Sequence, residues 1–126
     1  NNWPPIFKLM KKALPGAFTF ILKASNKVPK ILSIKKKQVG IRVPSHQIPL
    51  SLVKKLGNPI ITSSVKSKDE ILQYMTDPNL IFDEYKHEVD MIIDGGIGSN
   101  EPSTVINVID DSIEIIRQGA GDTSWI

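Results

Sequence analysis

Cysteine does not occur among the 126 residues, which excludes disulfides, thiolate metal sites and cysteine nucleophiles. Long apolar runs are missing as well; none approaches the roughly 20 residues that a membrane-spanning helix needs. The start, Asn1-Asn2-Trp3-Pro4-Pro5, lacks the basic stretch, apolar stretch and small-residue cleavage site of a secretory leader. A cytoplasmic protein is the resulting expectation. Arginine is scarce, with Arg42 and Arg117 the two among sixteen basic residues. The sharpest shortage is of acid. Residues 1–68 hold thirteen lysines and Arg42 with no Asp or Glu, a net of +14, whereas residues 69–126 hold thirteen acids against Lys86 and Arg117, a net of −11. The overall charge of +3 conceals these opposed halves. They suit either a basic surface for phosphate or RNA, or two interleaved halves whose charges mix on the surface.

What is present reads as globular. An apolar fraction of 40% and 23% charged residues are ordinary values, and the length fits one domain or part of one. Residues 6–14 carry apolar side chains at helical spacing, stopped by Pro15-Gly16. Phe18 to Leu22 is β-rich and predicts a strand. Residues 28–34 suggest a short helical turn around Ile31 and Leu32, and Lys35-Lys36-Lys37 a basic turn. Val39 to Val43 predicts a second strand, ended by Pro44. Ser45 is a candidate N-cap for a helix through Lys55, with Pro49 in its first turn and Gly57 beyond its end. Ile60-Ile61-Thr62 and Met91-Ile92-Ile93 predict short buried strands, the latter ended by Gly95-Gly96. Residues 67–70 open a loop or short helix, and Thr76-Asp77-Pro78 starts a helix to about His87. Residues 104–109 and 113–117 predict two strands joined at Asp110-Asp111-Ser112. Helices and strands alternate first and a hairpin follows, so the class is α/β with a mixed sheet.

Several apolar segments end in glycine, hydroxyl or arginine, which is how a sheet presents anion-binding groups along one rim. They are Leu14-Pro15-Gly16-Ala17-Phe18-Thr19-Phe20-Ile21-Leu22-Lys23, Val39-Gly40-Ile41-Arg42-Val43-Pro44, Pro59-Ile60-Ile61-Thr62-Ser63-Ser64, Val89-Asp90-Met91-Ile92-Ile93-Asp94-Gly95-Gly96, and Pro102-Ser103-Thr104-Val105-Ile106 followed by Ile116-Arg117-Gln118-Gly119-Ala120-Gly121-Asp122. In this order they resemble the YrdC-like family, whose members include threonylcarbamoyl-AMP synthases of tRNA modification. The resemblance implies a twisted mixed sheet with flanking helices, residues 1–126 forming the C-terminal portion of a single such domain. It also implies a further N-terminal portion with a nucleotide-gripping Lys-x-Arg, a motif found nowhere in these 126 residues. A chain without it is expected to be inactive.

By the same resemblance, Arg42, Thr62 and Ser103 would face the amino-acid substrate, and Gln38, Ser64 and Arg117 the nucleotide. Arginine's planar fork matches carboxylate or phosphate as lysine cannot, although both arginines also fit an ordinary surface role. Hydroxyls at Thr62-Ser63-Ser64 follow an apolar run, and the carboxyl end of a strand is where open α/β sheets bind ligands. Two positions depart from the family pattern. Gln38 stands where a threonine is usual, and Lys66 replaces the asparagine of the Ser-x-Asn motif whose serine is Ser64. An amide that donates and accepts becomes a cation that only donates. That change argues against synthase activity and resembles the YciO branch.

Other candidates are weaker. Thr19 is read as a strand-forming residue rather than a ligand. Gly95-Gly96-Ile97-Gly98 lacks the strand–helix setting of a dinucleotide loop and reads as a turn. His46 and His87 have no partners at metal-ligand spacing, so no metal site is expected. Asp110-Asp111 reads as a solvated turn, and Trp3 and Trp125 show no basic–aromatic interleaving. The expected function is therefore a nucleotide- and RNA-binding domain related to L-threonylcarbamoyladenylate synthase, using ATP as substrate, with magnesium on its phosphates, and threonine with bicarbonate. The alternative is a non-synthase paralogue that binds double-stranded RNA or tRNA through a basic concave face.

Overall fold

A computed structural model describes residues 4–32, 37–66 and 74–126. Within them the chain divides into two compact units, Asn1–Leu50 with Pro102–Ile126, and Ser51–Glu101. Charge divides along the same line. The first unit carries eleven lysines and arginines against four acids, a net of +7; the second carries five against nine, a net of −4.

The first unit is built on helix α1 (Pro5–Ala13) and strands β1 (Phe18–Lys23), β2 (Gln38–Arg42), β3 (Thr104–Asn107) and β4 (Glu114–Arg117). The strands form one mixed sheet in the order β2-β1-β3-β4. β1 is antiparallel to β2 and parallel to β3, and β3 is antiparallel to β4. α1 ends because Leu14 precedes Pro15, and a residue before proline leaves the helical region. Leu14 is extended, and its N–H donates to the Met10 carbonyl at 2.9 Å.

Period-two alternation decides which face of the sheet is buried. Phe18 and Phe20 of β1, with Ile106 of β3 and Val108, point to one side and join Ala13 in the core. Ile6, Leu9 and Met10 of α1 pack over them, and Trp125 meets Phe18 edge-on with ring centroids 6.0 Å apart. The hairpin between β3 and β4 turns through Ile109–Asp111, where Asp110 and Asp111 adopt positive φ (58° each). Aspartate tolerates that region better than most residues, in keeping with the predicted turn.

Helix α2 (Gln47–Leu56) follows β2, and α3 (Pro78–Tyr85) lies in the second unit. Asp77 caps α3 by accepting from the Asn79 N–H at 2.9 Å, with Pro78 at the first helical position. At the start of α2 the capping residue is His46 rather than Ser45: its Nδ1 accepts from the Ile48 N–H at 3.1 Å. The expected end stands, since Gly57 follows the helix with φ +83°.

Two expected strands are absent. Ile60-Ile61-Thr62 and Met91-Ile92-Ile93 have no ladder partner among the described residues, and most of their side chains are exposed, Ile61 by 57% and Met91 by 76%. Their apolar, β-branched composition resembles a buried strand, but composition alone supplies no neighbour to hydrogen-bond. The loop or helix expected at 67–70, most of the basic turn at 35–37, the end of the turn at 28–34, and Trp3 lie outside the described residues.

Candidate functional site

The register of the sheet lines up four residues in one row. Arg42 on β2 lies opposite Thr19 on β1, Thr19 opposite Val105 on β3, and Val105 opposite Arg117 on β4. Residues paired in a regular ladder share a face, so Arg42 stands with Thr19 on the side away from Phe18 and Phe20. The β3–β4 register shifts between Val105 and Ile106, and the contact of Arg117 with the Ser103 hydroxyl, itself bonded to Thr19, puts the second arginine on that side too. Three strand spacings separate the two arginines, roughly 14 Å between backbones. Gln38 is on the same face, two residues back along β2 from Gly40.

Between the arginines lies a pair of hydroxyls. Thr19 Oγ1 and Ser103 Oγ are 2.7 Å apart although 84 residues separate them in the chain. Ser103 precedes β3 and is only 6% exposed. Its carbonyl oxygen accepts from Arg117 twice, Nε at 3.1 Å and Nη2 at 2.9 Å, and Nη2 also stands 3.4 Å from its hydroxyl. Arg117 is thus half committed to the backbone beside Ser103. The Arg42 side chain is exposed and has no hydrogen bond or ion pair among the described residues. It borders a shallow, open depression of about 200 Å³ together with Gly16, Ala17, Pro44, Ser45 and His46.

The segment after β4 packs closely on the strand start. Fully buried Thr104 accepts from the Gly119 N–H at 3.0 Å and donates to the Gly121 carbonyl at 2.8 Å, so a hydroxyl inside the core leaves no polar group unpaired. Ala120 N–H donates to the Pro102 carbonyl at 2.9 Å, and Gln118 Nε2 reaches the Gly121 carbonyl at 2.9 Å. A Cβ on Gly119 would fall 2.6 Å from the Ser103 carbonyl carbon, and one on Gly121 2.7 Å from the Ala17 carbonyl oxygen. Both positions require glycine for this approach.

Thr62, Ser64 and Lys66 belong to the second unit and are exposed there. Lys66 forms an isolated antiparallel bridge with Tyr74, its carbonyl accepts the Tyr85 hydroxyl at 2.7 Å, and its Nζ stands 5.5 Å from the Tyr74 ring centroid. Gly96 takes φ +88° and its N–H donates to Asp94 Oδ1 at 2.9 Å, a tight turn as expected. Among the described residues no group of three or more His, Asp or Glu is placed to hold a metal, and no helix is long and apolar enough to cross a membrane.

The structure thus gathers Gln38, Arg42, Ser103 and Arg117 on one face of the first unit. It adds Thr19, which sequence reasoning set aside. The usable signal was parity: Thr19 alternates with Phe18 and Phe20, so it must face away from the core, toward the arginines.

The family profile of Sua5, YciO and YrdC, described as telomere recombination, matches residues 2–119. This chain belongs to that family. YciO of Escherichia coli is 40% identical over 117 residues, 92% of this chain. Its crystal structure superimposes with a TM-score of 0.85, covering 98% of this chain and 60% of that one. A threonylcarbamoyl-AMP synthase of Pyrococcus abyssi is 29% identical over 114 residues, 88% of this chain and 32% of its own. The P. abyssi Sua5 structure complexed with L-threonine has a TM-score of 0.79 and 27% identity, covering 94% of this chain and 35% of that one. The chain therefore spans little more than half the length of the YciO relative, 56% by sequence. These similarities place it in the YciO branch of a YrdC-like family, with a mixed four-stranded sheet and flanking helices.

Proposed function

We propose that the full-length protein uses the Arg42–Thr19–Ser103–Arg117 face to hold the carboxylate of an amino acid, with threonine as the leading candidate, beside a nucleotide. The observation that carries this reading is the Arg42 guanidinium, without a hydrogen bond or ion pair among the described residues, in one row with the Thr19–Ser103 hydroxyls. A carboxylate accepts from guanidinium and hydroxyl together, and a charge-assisted contact of this kind is about twice as strong as a neutral one. Gln38 on the same face, with Arg117, would contact ATP. The L-threonine complex of Sua5 supports the ligand class. Such a site works by positioning and by neutralising charge on anionic reactants.

Calorimetric titration of the full-length protein with L-threonine and ATP tests this. Arg42→Ala should weaken threonine by about tenfold or more, the loss of one charged hydrogen-bonding partner. Wild-type protein that binds neither threonine nor ATP would refute it.

A second reading has one observation in its favour, the +7 net charge of the first unit, to which Lys8 and Lys11 of α1 contribute exposed positions. Double-stranded RNA or tRNA bound there would be held through phosphates, with affinity falling steeply as salt rises. Binding that is flat between low and high salt would rule it out.

A further inference from the structure

Thr19 is a residue to which neither the family resemblance nor the composition gives a role. We infer that Thr19 is a positioning residue of this site: it holds the Ser103 hydroxyl in its link to Arg117, so that the pair offers one free O–H to an acceptor-only group such as a carboxylate. The ligand class rests on the proposed function; the positioning of Ser103 does not.

Proton counting carries the first step. At 2.7 Å, Thr19 Oγ1 and Ser103 Oγ share a short hydroxyl–hydroxyl hydrogen bond. Two hydroxyls joined by one such bond hold two protons, and one lies between the oxygens. Whichever residue donates, the other O–H stays uncommitted. Arg117 Nη2, 3.4 Å from Ser103 Oγ, can only donate to it. Arg42 likewise only donates, and the row Arg42–Thr19–Val105–Arg117 contains no acid. The assembly presents protons and positive charge, so the matching part of a ligand must accept.

Gly40 explains why Thr19 is held in this rotamer. A Cβ at residue 40 would lie 3.3 Å from Thr19 Cγ2, tighter than most such contacts. Glycine leaves that space to the threonine methyl, on the β2 side. With χ1 of a β-branched residue limited to few wells, the methyl on one side leaves the hydroxyl for the β3 side, where Ser103 stands. Burial of Ser103 then keeps water from replacing the bond.

The test compares full-length wild type, Thr19→Val, Thr19→Ser and Gly40→Ala. Valine keeps the shape and strand preference but removes the hydroxyl, and serine keeps the hydroxyl. In ligand-free protein, exchange of the Arg117 Nη protons with water is followed by low-temperature NMR, since Nη2 is the group beside the Ser103 hydroxyl. L-threonine and its amino-alcohol analogue L-threoninol, which lacks the carboxylate, are then titrated. Thr19→Val should speed Arg117 exchange by about threefold or more and weaken L-threonine about 5- to 10-fold, with L-threoninol within twofold. Gly40→Ala should move both in the same direction by less, and Thr19→Ser should match wild type. Unchanged Arg117 exchange in Thr19→Val overturns the inference. So does equal weakening of both ligands, or a Thr19→Ser as impaired as Thr19→Val, since either marks a merely structural residue. Should wild type bind neither ligand, the proposed function fails, and the exchange measurement still decides the role of Thr19.

Discussion

Arg117 donates twice to the carbonyl oxygen of Ser103, from Nε at 3.1 Å and from Nη2 at 2.9 Å. One edge of the guanidinium is therefore a clamp between β4 and the segment that opens β3, and Nη1 has no hydrogen bond among the described residues. Lysine keeps the charge but cannot place two donors on one oxygen. Because the arginine is largely exposed, the loss should be modest. Arg117→Lys is expected to lower stability by about 1 kcal/mol in chemical denaturation. A midpoint equal to wild type would mean that the paired bonds contribute nothing net.

Gly119 and Gly121 let the chain after β4 close on Pro102, Ser103 and Ala17. A Cβ on Gly121 would meet the Phe18 ring at 2.8 Å and the Ala17 carbonyl at 2.7 Å. Backbone atoms cannot swing aside as a flexible side chain can. Gly119→Ala and Gly121→Ala should each cost about 1–3 kcal/mol by overpacking. Gly57→Ala separates crowding from backbone conformation, since φ is +83° there but nothing lies within 4 Å. Its cost should stay near 1 kcal/mol. Thermal melts of the three variants give the order directly.

Much of the first unit was legible from the sequence because its signals are local. Alternating Phe18 and Phe20, the Leu14-Pro15 stop and the Asp110-Asp111 turn each act within a few residues, and β1, α1 and the β3–β4 hairpin follow. The segments around Ile61 and Ile92 misled because a strand is completed by a neighbour, and three apolar residues do not specify one. His46 displaced Ser45 as the cap of α2 because a ring nitrogen at the right position accepts as well as a hydroxyl does. In the site, Arg42, Ser103 and Arg117 were visible as residue types. Thr19 was not, since its partner lies 84 residues away and only the register of β1 with β3 brings them together.

Asp122 supplies a pH test of the segment beside the site. Its carboxylate accepts the Ser124 N–H at 3.0 Å and the Ser124 hydroxyl at 2.9 Å. The backbone bond first, and the hydroxyl second, hold its pKa below the ordinary 3.8. A carboxyl with a depressed folded pKa contributes stability above the unfolded pKa and loses it as pH falls through the folded one. Titration of the Asp122 side chain by NMR should give a midpoint below 3.8. Ser124→Ala removes the hydroxyl and keeps the N–H, so the midpoint should return part of the way; no movement would assign the whole shift to the backbone.

Lys66 bears on whether chemistry follows binding. Its Nζ stands 5.5 Å from the Tyr74 ring centroid, and its carbonyl holds the Tyr85 hydroxyl. The backbone contact does not depend on the side chain, and the exposed cation–ring contact is worth about 0.5–1 kcal/mol. Lys66→Asn should therefore fold, with a melting temperature only slightly lowered. As a cation, Lys66 can neutralise a phosphate but cannot accept a hydrogen bond from one reactant while donating to another, as an amide can. Full-length wild type is expected to bind ATP and to form little or no threonylcarbamoyl-AMP from ATP, threonine and bicarbonate. Lys66→Asn should raise product formation if this position alone limits the reaction, with ATP affinity little changed. Product formation measured side by side for the two proteins and an authentic synthase decides it. Wild-type turnover on a level with the synthase would show that an asparagine at this position is dispensable to the chemistry.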